Sequence, residues 1–418
     1  MAETNNIRAE HYNRQPLWFT AINSVWKSSY PLGTRSSLDK DSLIKAARRS
    51  TGLKDFGTDF WEEPLDRMLA SIREEARLHP VGQFITRQRL IQLLSVRLRA
   101  EDWFRKHPEI LEQPLYPVIL IIGLQRTGTT KLQRLLASDP DNRALLSWEA
   151  LNPAPLNGNL MDSRDRIKVA RTSEKALKLM SPGFFAIHPV EHLAPEEDVL
   201  LLDASFLSTT AEATMHVPSY ASWLEETDQS PAYDYMTRLM KLLQWQRPGK
   251  RWVLKTPHHL EFLDLAKKHF EGVHFIWTHR RVYESIPSFL SMVSYARSLF
   301  SDAVDRSDVA AHWLRKTGYM LDRALDFHDR NSNTALFTHV SFKQLVGDPM
   351  RILDSIYAHR GETISPELQR IFQEADRSNP KGKYGNHEYT LGDFGLDESR
   401  VDELTVNYQR FQQSLTNI

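Results

Sequence analysis

Between Pro117 and Ser138 the chain reads PVILIIGLQRTGTTKLQRLLAS, with Arg126, Thr127, Thr129 and Thr130 gathered around Gly123 and Gly128. An arginine and three hydroxyls in a glycine-bounded turn suit the binding of a tetrahedral anion. The flanks support that use. Val118 to Ile122 is a continuous aliphatic run, as expected of a strand buried on both faces. Thr129 onward predicts a helix with Leu132, Leu135 and Leu136 on one face. Strand, glycine loop and helix N-terminus aim free backbone N–H groups and the positive dipole end at one spot. The spacing nearly reproduces the nucleotide loop G-x-x-x-x-G-K-[ST], but Thr129 stands where the lysine is required. The cation has moved inside the loop, to Arg126. A kinase or ATPase needs that lysine on its β- and γ-phosphates, so a different anion is expected here.

Four further groups of residues carry potential chemistry. Lys255, Thr256, Pro257, His258 and His259 follow a short strand, Trp252 to Leu254. Imidazole is suited to removing a proton from an alcohol near neutral pH, and Lys255 to stabilising a leaving group. Either histidine can instead make a local bond at a helix start. Val273 to Thr278 is a second buried strand, followed by His279, Arg280 and Arg281, with Ser288 in the next helix. An arginine at a strand end and a helix-borne serine can converge on one phosphate. Pro287 makes that helix kink or begin later. Arg143 to Trp148 is a candidate strand ending at Glu149, a second candidate base. The run NPKGKYG, Asn379 to Gly385, is a basic glycine loop suited to a phosphate.

With these residues in view, the chain resembles the sulfotransferases that use 3′-phosphoadenosine 5′-phosphosulfate (PAPS), in their bacterial-type branch. The resemblance rests on Arg126-Thr127-Gly128-Thr129-Thr130, on LKTPHHL, IWTHRR, LVGDP, NPKG and YTLGDFGL in that order, and spans roughly residues 40–415. It implies that Arg126, Thr127, Gly128, Thr129 and Thr130 hold the 5′-phosphosulfate. It implies that Arg280, Ser288, Lys381, Gly382 and Lys383 hold the 3′-phosphate, and that Phe342 lies beside the adenine. In the related bacterial segment the histidine two after the proline, here His259, is the base. Glu149 is the alternative. Arg126 and Lys255 then stabilise the departing 3′-phosphoadenosine 5′-phosphate (PAP), and no metal is expected. The sequence departs from the family at Pro287 and at Lys343-Gln344, where acidic residues are common.

The elements that must position these residues alternate along the chain. Strands separated by helices imply an α/β fold, a mostly parallel sheet with helices on both faces and ligands at the carboxyl ends of the strands. The candidate residues fall at those ends. Residues 1–115 contain no convincing strand series and predict helices at Ser42 to Ser50, capped by Asp41, at Phe60 to Leu78 and at Gly82 to Lys106. They are expected to form a helical extension on a main domain spanning 116–418, with a helical substrate-side insertion at about 150–245. Pro195, Glu196, Glu197 and Asp198 read as a helix start; a substrate-contacting acidic cluster is the alternative. His188 and His192 lie four apart, but Pro189 breaks the helix between them and no third metal ligand is evident.

Composition limits the partners. Net charge is zero, with 53 basic and 53 acidic residues, which argues against a general nucleic-acid binder. There is no cysteine, so thiolate chemistry is excluded. The N-terminal stretch lacks a signal-peptide core and no apolar run reaches membrane-span length, so a cytoplasmic location is expected. The expected activity is sulfuryl transfer from PAPS to a hydroxyl of a small-molecule, lipid or carbohydrate acceptor. A P-loop kinase and a non-catalytic nucleotide-binding protein are the rivals. Neither the acceptor nor the oligomeric state is legible.

Overall fold

A computed structural model describes residues 6–7, 15–29, 37–159, 162–332, 335–379 and 386–415. Its centre is a five-stranded sheet of β1 (Val118–Ile122), β2 (Asn142–Ala144), β3 (Arg251–Lys255), β4 (His274–His279) and β5 (Phe337–Ser341). The spatial order is β2-β3-β1-β4-β5 and every neighbouring pair is parallel. Register places Ile121 opposite both Lys255 and Ile276. The carboxyl ends of those three strands therefore lie side by side, with β4 running two residues past the end of β1.

Alternation along β1 divides the core. Val118, Leu120 and Ile122 face a large apolar cluster, while Ile119 and Ile121 face a smaller one. The large cluster takes in α1 (Lys40–Thr51), α2 (Glu62–Glu75) and α3 (Pro80–Lys106), through Leu43, Leu65, Leu90 and Leu94. The smaller is closed by α4 (Thr129–Leu136), through Leu132, Leu135 and Leu136. Next come α5 (Ser147–Leu151), α6 (Arg164–Met180), α7 (Ser230–Gln246), α8 (Val282–Ser298) and α9 (Arg306–Arg330). Beyond β5, α10 (Pro349–His359) and α11 (Pro366–Ser378) complete the smaller core, and α12 (Glu398–Ser414) returns to the larger. A separate two-residue parallel ladder joins Asn6–Ile7 to Asn386–His387.

Several local expectations change. Asp39, not Asp41, caps α1, accepting the Ser42 N–H at 2.9 Å. The second strand stops at Ala144, and Ser147–Leu151 is helical, so Glu149 sits in a first helical turn rather than at a strand end. Pro287 lies inside a continuous α8 that begins at Val282. Being only in its second turn, the proline forfeits a single backbone hydrogen bond. The acids at 196–198 precede a four-residue helix, Val199–Leu202, and their side chains are used elsewhere.

Candidate active site

The loop after β1 is shaped by two glycines. Gly123 has φ +140° and Gly128 φ +95°. A Cβ on residue 123 would lie 2.4 Å from Thr278 Oγ1 and 2.7 Å from the Thr278 carbonyl oxygen. Only glycine lets the chain leave β1 this close to β4. Gly123→Ala should therefore open the loop, costing about 1–3 kcal/mol of stability together with anion affinity. Parent-like melting and binding in that variant would show that the close approach is dispensable. The buried Thr127 hydroxyl donates to the Leu124 carbonyl at 2.6 Å and lies 2.7 Å from Thr278 Oγ1. Its side chain thus braces the loop. Thr129 is buried at the start of α4, and Thr130 is exposed beside it.

Arg126 adopts a left-handed φ of +69°, a conformation that costs a non-glycine residue about 1–3 kcal/mol. Its Nε donates to Ser288 Oγ at 3.1 Å and its Nη1 to the Ile187 carbonyl at 3.2 Å. Arg280 Nη1 donates to the Arg126 carbonyl at 3.0 Å. Burial, and then the neighbouring Arg280 charge, depress the Arg126 pKa, while Tyr389 opposes them. The Arg126 side chain thus bonds neutral oxygens beside a second cation, an arrangement that favours an incoming anion. Arg280 also pairs with Glu284 at 2.9 Å and lies 4.3 Å over the Phe342 ring. Phe342 reaches the loop as well, since a Cβ on Gly128 would be 3.1 Å from its ring. The structure thus brings Arg126, Arg280, Ser288 and Phe342 to one place. Lys381, Gly382 and Lys383 lie outside the described residues.

Lys255 ends β3 beside this loop. Its Nζ donates to Glu197 Oε1 at 2.6 Å and its backbone N–H to Asp198 Oδ1 at 2.8 Å. Thr256 Oγ1 donates to the other Glu197 oxygen at 3.2 Å. The stretch from Ile187 to Asp198 is pinned over the loop and α4 at further points. Arg134 pairs with Glu191 at 2.7 Å, and Gln133 Nε2 donates to the Glu196 carbonyl at 2.9 Å. His188, in this stretch, has its pKa lowered to about 4. Burial is the main cause, followed by Lys255, Arg126 and Arg134, with Glu197 opposing. Burial raises the Glu196 carboxyl above its usual range, against the pull of Lys255 and Arg134.

The two expected bases are both enclosed by protein partners. His259 is fully buried, with Nδ1 2.6 Å from Tyr233 OH and Nε2 2.5 Å from Asp198 Oδ2. Both ring nitrogens are engaged by the protein, so neither can meet an acceptor hydroxyl in this arrangement. Glu149 is 1% exposed and grips Arg143 at 3.0 Å and Arg247 at 2.9 Å, with the Leu146 N–H at 3.0 Å. Burial alone would raise its pKa, but the two arginines hold it below the carboxylate norm. Both of its oxygens are already engaged by protein donors. His258 is buried and held neutral, its pKa driven far below the imidazole norm by burial, His259 and Lys316. His188 and His192 do not share a site, as His192 Nδ1 bonds Glu174 at 2.5 Å. Among the described residues no metal-ligating cluster of three or more side chains occurs.

Glu197 and His188 are side chains beside this loop that the sequence does not number among the site residues, though a substrate-contacting acidic cluster at 196–198 is one of its readings. The available signal was Pro195-Glu196-Glu197-Asp198, which also fits a helix start. Its pairing with Lys255 depends on a contact between residues 58 apart in sequence.

A sequence model of the sulfotransferase family matches residues 117–366. The crystal structure of sulfotransferase STF1 from Mycobacterium tuberculosis H37Rv superimposes with a TM-score of 0.78 at 29% identity, covering 89% of this chain and 100% of that one. Sulfotransferase STF9 from Mycobacterium avium gives a TM-score of 0.81 at 24% identity, covering 91% and 98%, a likeness of fold. No curated protein matches the chain.

Proposed function

The chain belongs to the sulfotransferase family, and from that premise we propose that it transfers the sulfuryl group of PAPS to a hydroxyl of a small-molecule, lipid or carbohydrate acceptor. The observation that carries this reading is Arg126, a strained and desolvated cation beside a glycine loop whose side chain, among the described residues, bonds the neutral oxygens of Ser288 and Ile187. A bound anion would complete its coordination.

The residues present fit the donor. The loop amides with Arg126, Thr129 and Thr130, and Lys255 beside them, would hold the 5′-phosphosulfate. Thr127 would contribute through its backbone and Gly128 by its lack of a side chain. Arg280 and Ser288, joined by Lys381, Gly382 and Lys383, would hold the 3′-phosphate, with Phe342 against the adenine. When bound, PAPS supplies an activated sulfuryl group on a phosphate leaving group. Arg126 and Lys255 would neutralise the charge that gathers on the bridging oxygen, so the chain's work is orientation and electrostatic stabilisation. The scheme calls on no metal.

Residues 1–115 would then be a helical layer on a catalytic domain spanning 116–418, with the acceptor side at about 150–245. No helix among the described residues is long and apolar enough to cross a membrane, and a cytoplasmic setting with no nucleic-acid partner suits the balanced charge. Thermal melting tests the proposal. PAP should raise the melting midpoint by several degrees at saturation, and radiolabelled PAPS should pass label to alcohols or phenols. Protection by ATP with none by PAP would overturn it.

A further inference from the structure

With His259 and Glu149 sealed inside the protein, the acceptor's proton needs another destination. A suitable group must lie beside the loop, have an oxygen or nitrogen open to a substrate, and be close to the cation that stabilises the leaving group. Glu197 is the candidate, a partly exposed carboxylate whose two oxygens are held by Lys255 and Thr256 alone of the described residues. Its side chain is 23% exposed, whereas that of its partner Lys255 is 3% exposed. Lys255 stands opposite Ile121, one residue before the end of β1 and so at the entrance to the glycine loop. Glu197 holds Lys255 at 2.6 Å and Thr256 at 3.2 Å. It is anchored by its neighbours: Asp198 caps the end of β3 and locks His259, and Glu196 Oε1 accepts the Glu197 N–H at 2.9 Å. His259 thus gains a positioning role, because it fixes the residue next to Glu197.

We propose that Glu197 receives the acceptor's proton and that its ion pair with Lys255 is a latch released by the donor. This rests on the sulfotransferase reading above. With the phosphosulfate in the loop, Lys255 turns from Glu197 to the bridging oxygen, leaving one carboxylate oxygen for the acceptor hydroxyl. The acceptor oxygen forms a bond to sulfur, and its proton passes to Glu197. The bond from sulfur to the bridging oxygen breaks, its electron pair stays on the phosphate, and Lys255 neutralises that charge. One pair thus serves both ends of the displacement and keeps Lys255 charge-balanced before the donor arrives. His188 lines the same side as a neutral imidazole, but no hydrogen bond ties it to Lys255 or Glu197.

Calorimetric titration of PAP and turnover of PAPS, in the wild type and Glu197→Gln, test the proposal. Glutamine is isosteric: its Oε1 can accept from Lys255 while its Nε2 donates to Thr256 Oγ1, and a melting curve checks that the variant is folded. Removing a carboxylate beside the anion should tighten PAP binding by about tenfold. That gain should vanish in the Glu197→Gln/Lys255→Met double variant when compared with Lys255→Met alone. These measurements need no acceptor. In turnover with a panel of primary alcohols and phenols, Glu197→Gln should lose roughly a hundredfold or more in kcat on alcohols. It should lose far less on phenols that are already ionised at the assay pH, while KM for PAPS does not rise. Unchanged or weaker PAP binding by the folded variant overturns the latch. Alcohol sulfation at wild-type kcat, or its loss in His188→Asn but not in Glu197→Gln, overturns the proton assignment. Failure of the wild type to bind PAP would instead strike the sulfotransferase reading beneath both.

Discussion

Arg126→Gly should leave the protein at least as stable as the wild type while removing most of its affinity for PAP and nearly all of its turnover. The two effects separate because the residue's backbone and side chain do different work. The backbone is left-handed, at φ +69°, and glycine occupies that region without the Cβ penalty. The carbonyl that receives Arg280 Nη1 at 3.0 Å survives the substitution. What is lost is the guanidinium, a desolvated charge directed at the loop mouth. Charge-assisted hydrogen bonds of this kind contribute about 1.5–3 kcal/mol each, or roughly ten- to a hundredfold in affinity. Loss of a donor that stabilises developing charge costs roughly 10²–10³ in kcat. Alanine would confuse the outcome by retaining strain, so glycine is the informative choice. Calorimetry with PAP and a melting curve give the two readouts. A variant that melts several degrees lower, or that binds PAP as the wild type does, would mean that the arginine serves the fold rather than the anion.

Glu149→Gln should be the reverse case, with a large loss of stability and unchanged PAP affinity per folded molecule. Glu149 neutralises Arg143, which is wholly buried and stacked 4.0 Å over Trp252, and also Arg247. Removing one partner of a buried ion pair strands the remaining charge and costs about 3–5 kcal/mol. Burial, only partly offset by Glu149, already lowers the Arg143 pKa to about 10. The pH dependence has a defined sign. The folded-state pKa of Glu149 is below the ordinary 4.5, so its stabilisation is complete above that value. It is lost as pH falls from 4.5 through the depressed folded value. The wild type and Glu149→Gln should therefore differ most near neutral pH and converge in acid. Denaturant melts across that range check it. A variant as stable as the wild type but without turnover would restore Glu149 as a candidate base.

The elements read most directly were those with an uninterrupted signal. Val118 to Ile122 and His274 to His279 are buried along their whole length, as their aliphatic and aromatic runs imply. Helix α11 went unanticipated despite Ser365 as its cap and Pro366 in its first turn, both local signals that were present. RALLSWEAL was the harder case, because alternating and helical periodicities both fit it over so short a run. Read as a strand, it places Glu149 at the carboxyl end of the sheet. The chain instead turns into α5, and the carboxylate folds back onto two arginines.

The sequence by itself determined the strands with uninterrupted apolar runs, the glycine loop and the displaced cation, since each depends on residues adjacent in the chain. Two glycines set the turn, one apolar run sets the strand, and the helix start follows. Only the tertiary structure decided which acids and histidines face that loop. Burial and pairing are properties of contacts between distant residues: Asp198 with His259, Glu149 with Arg143 and Arg247, Glu197 with Lys255. A carboxylate or imidazole has the same chemistry on paper wherever it stands. Its partners in space determine whether it can take a proton from a substrate or is already committed to the protein.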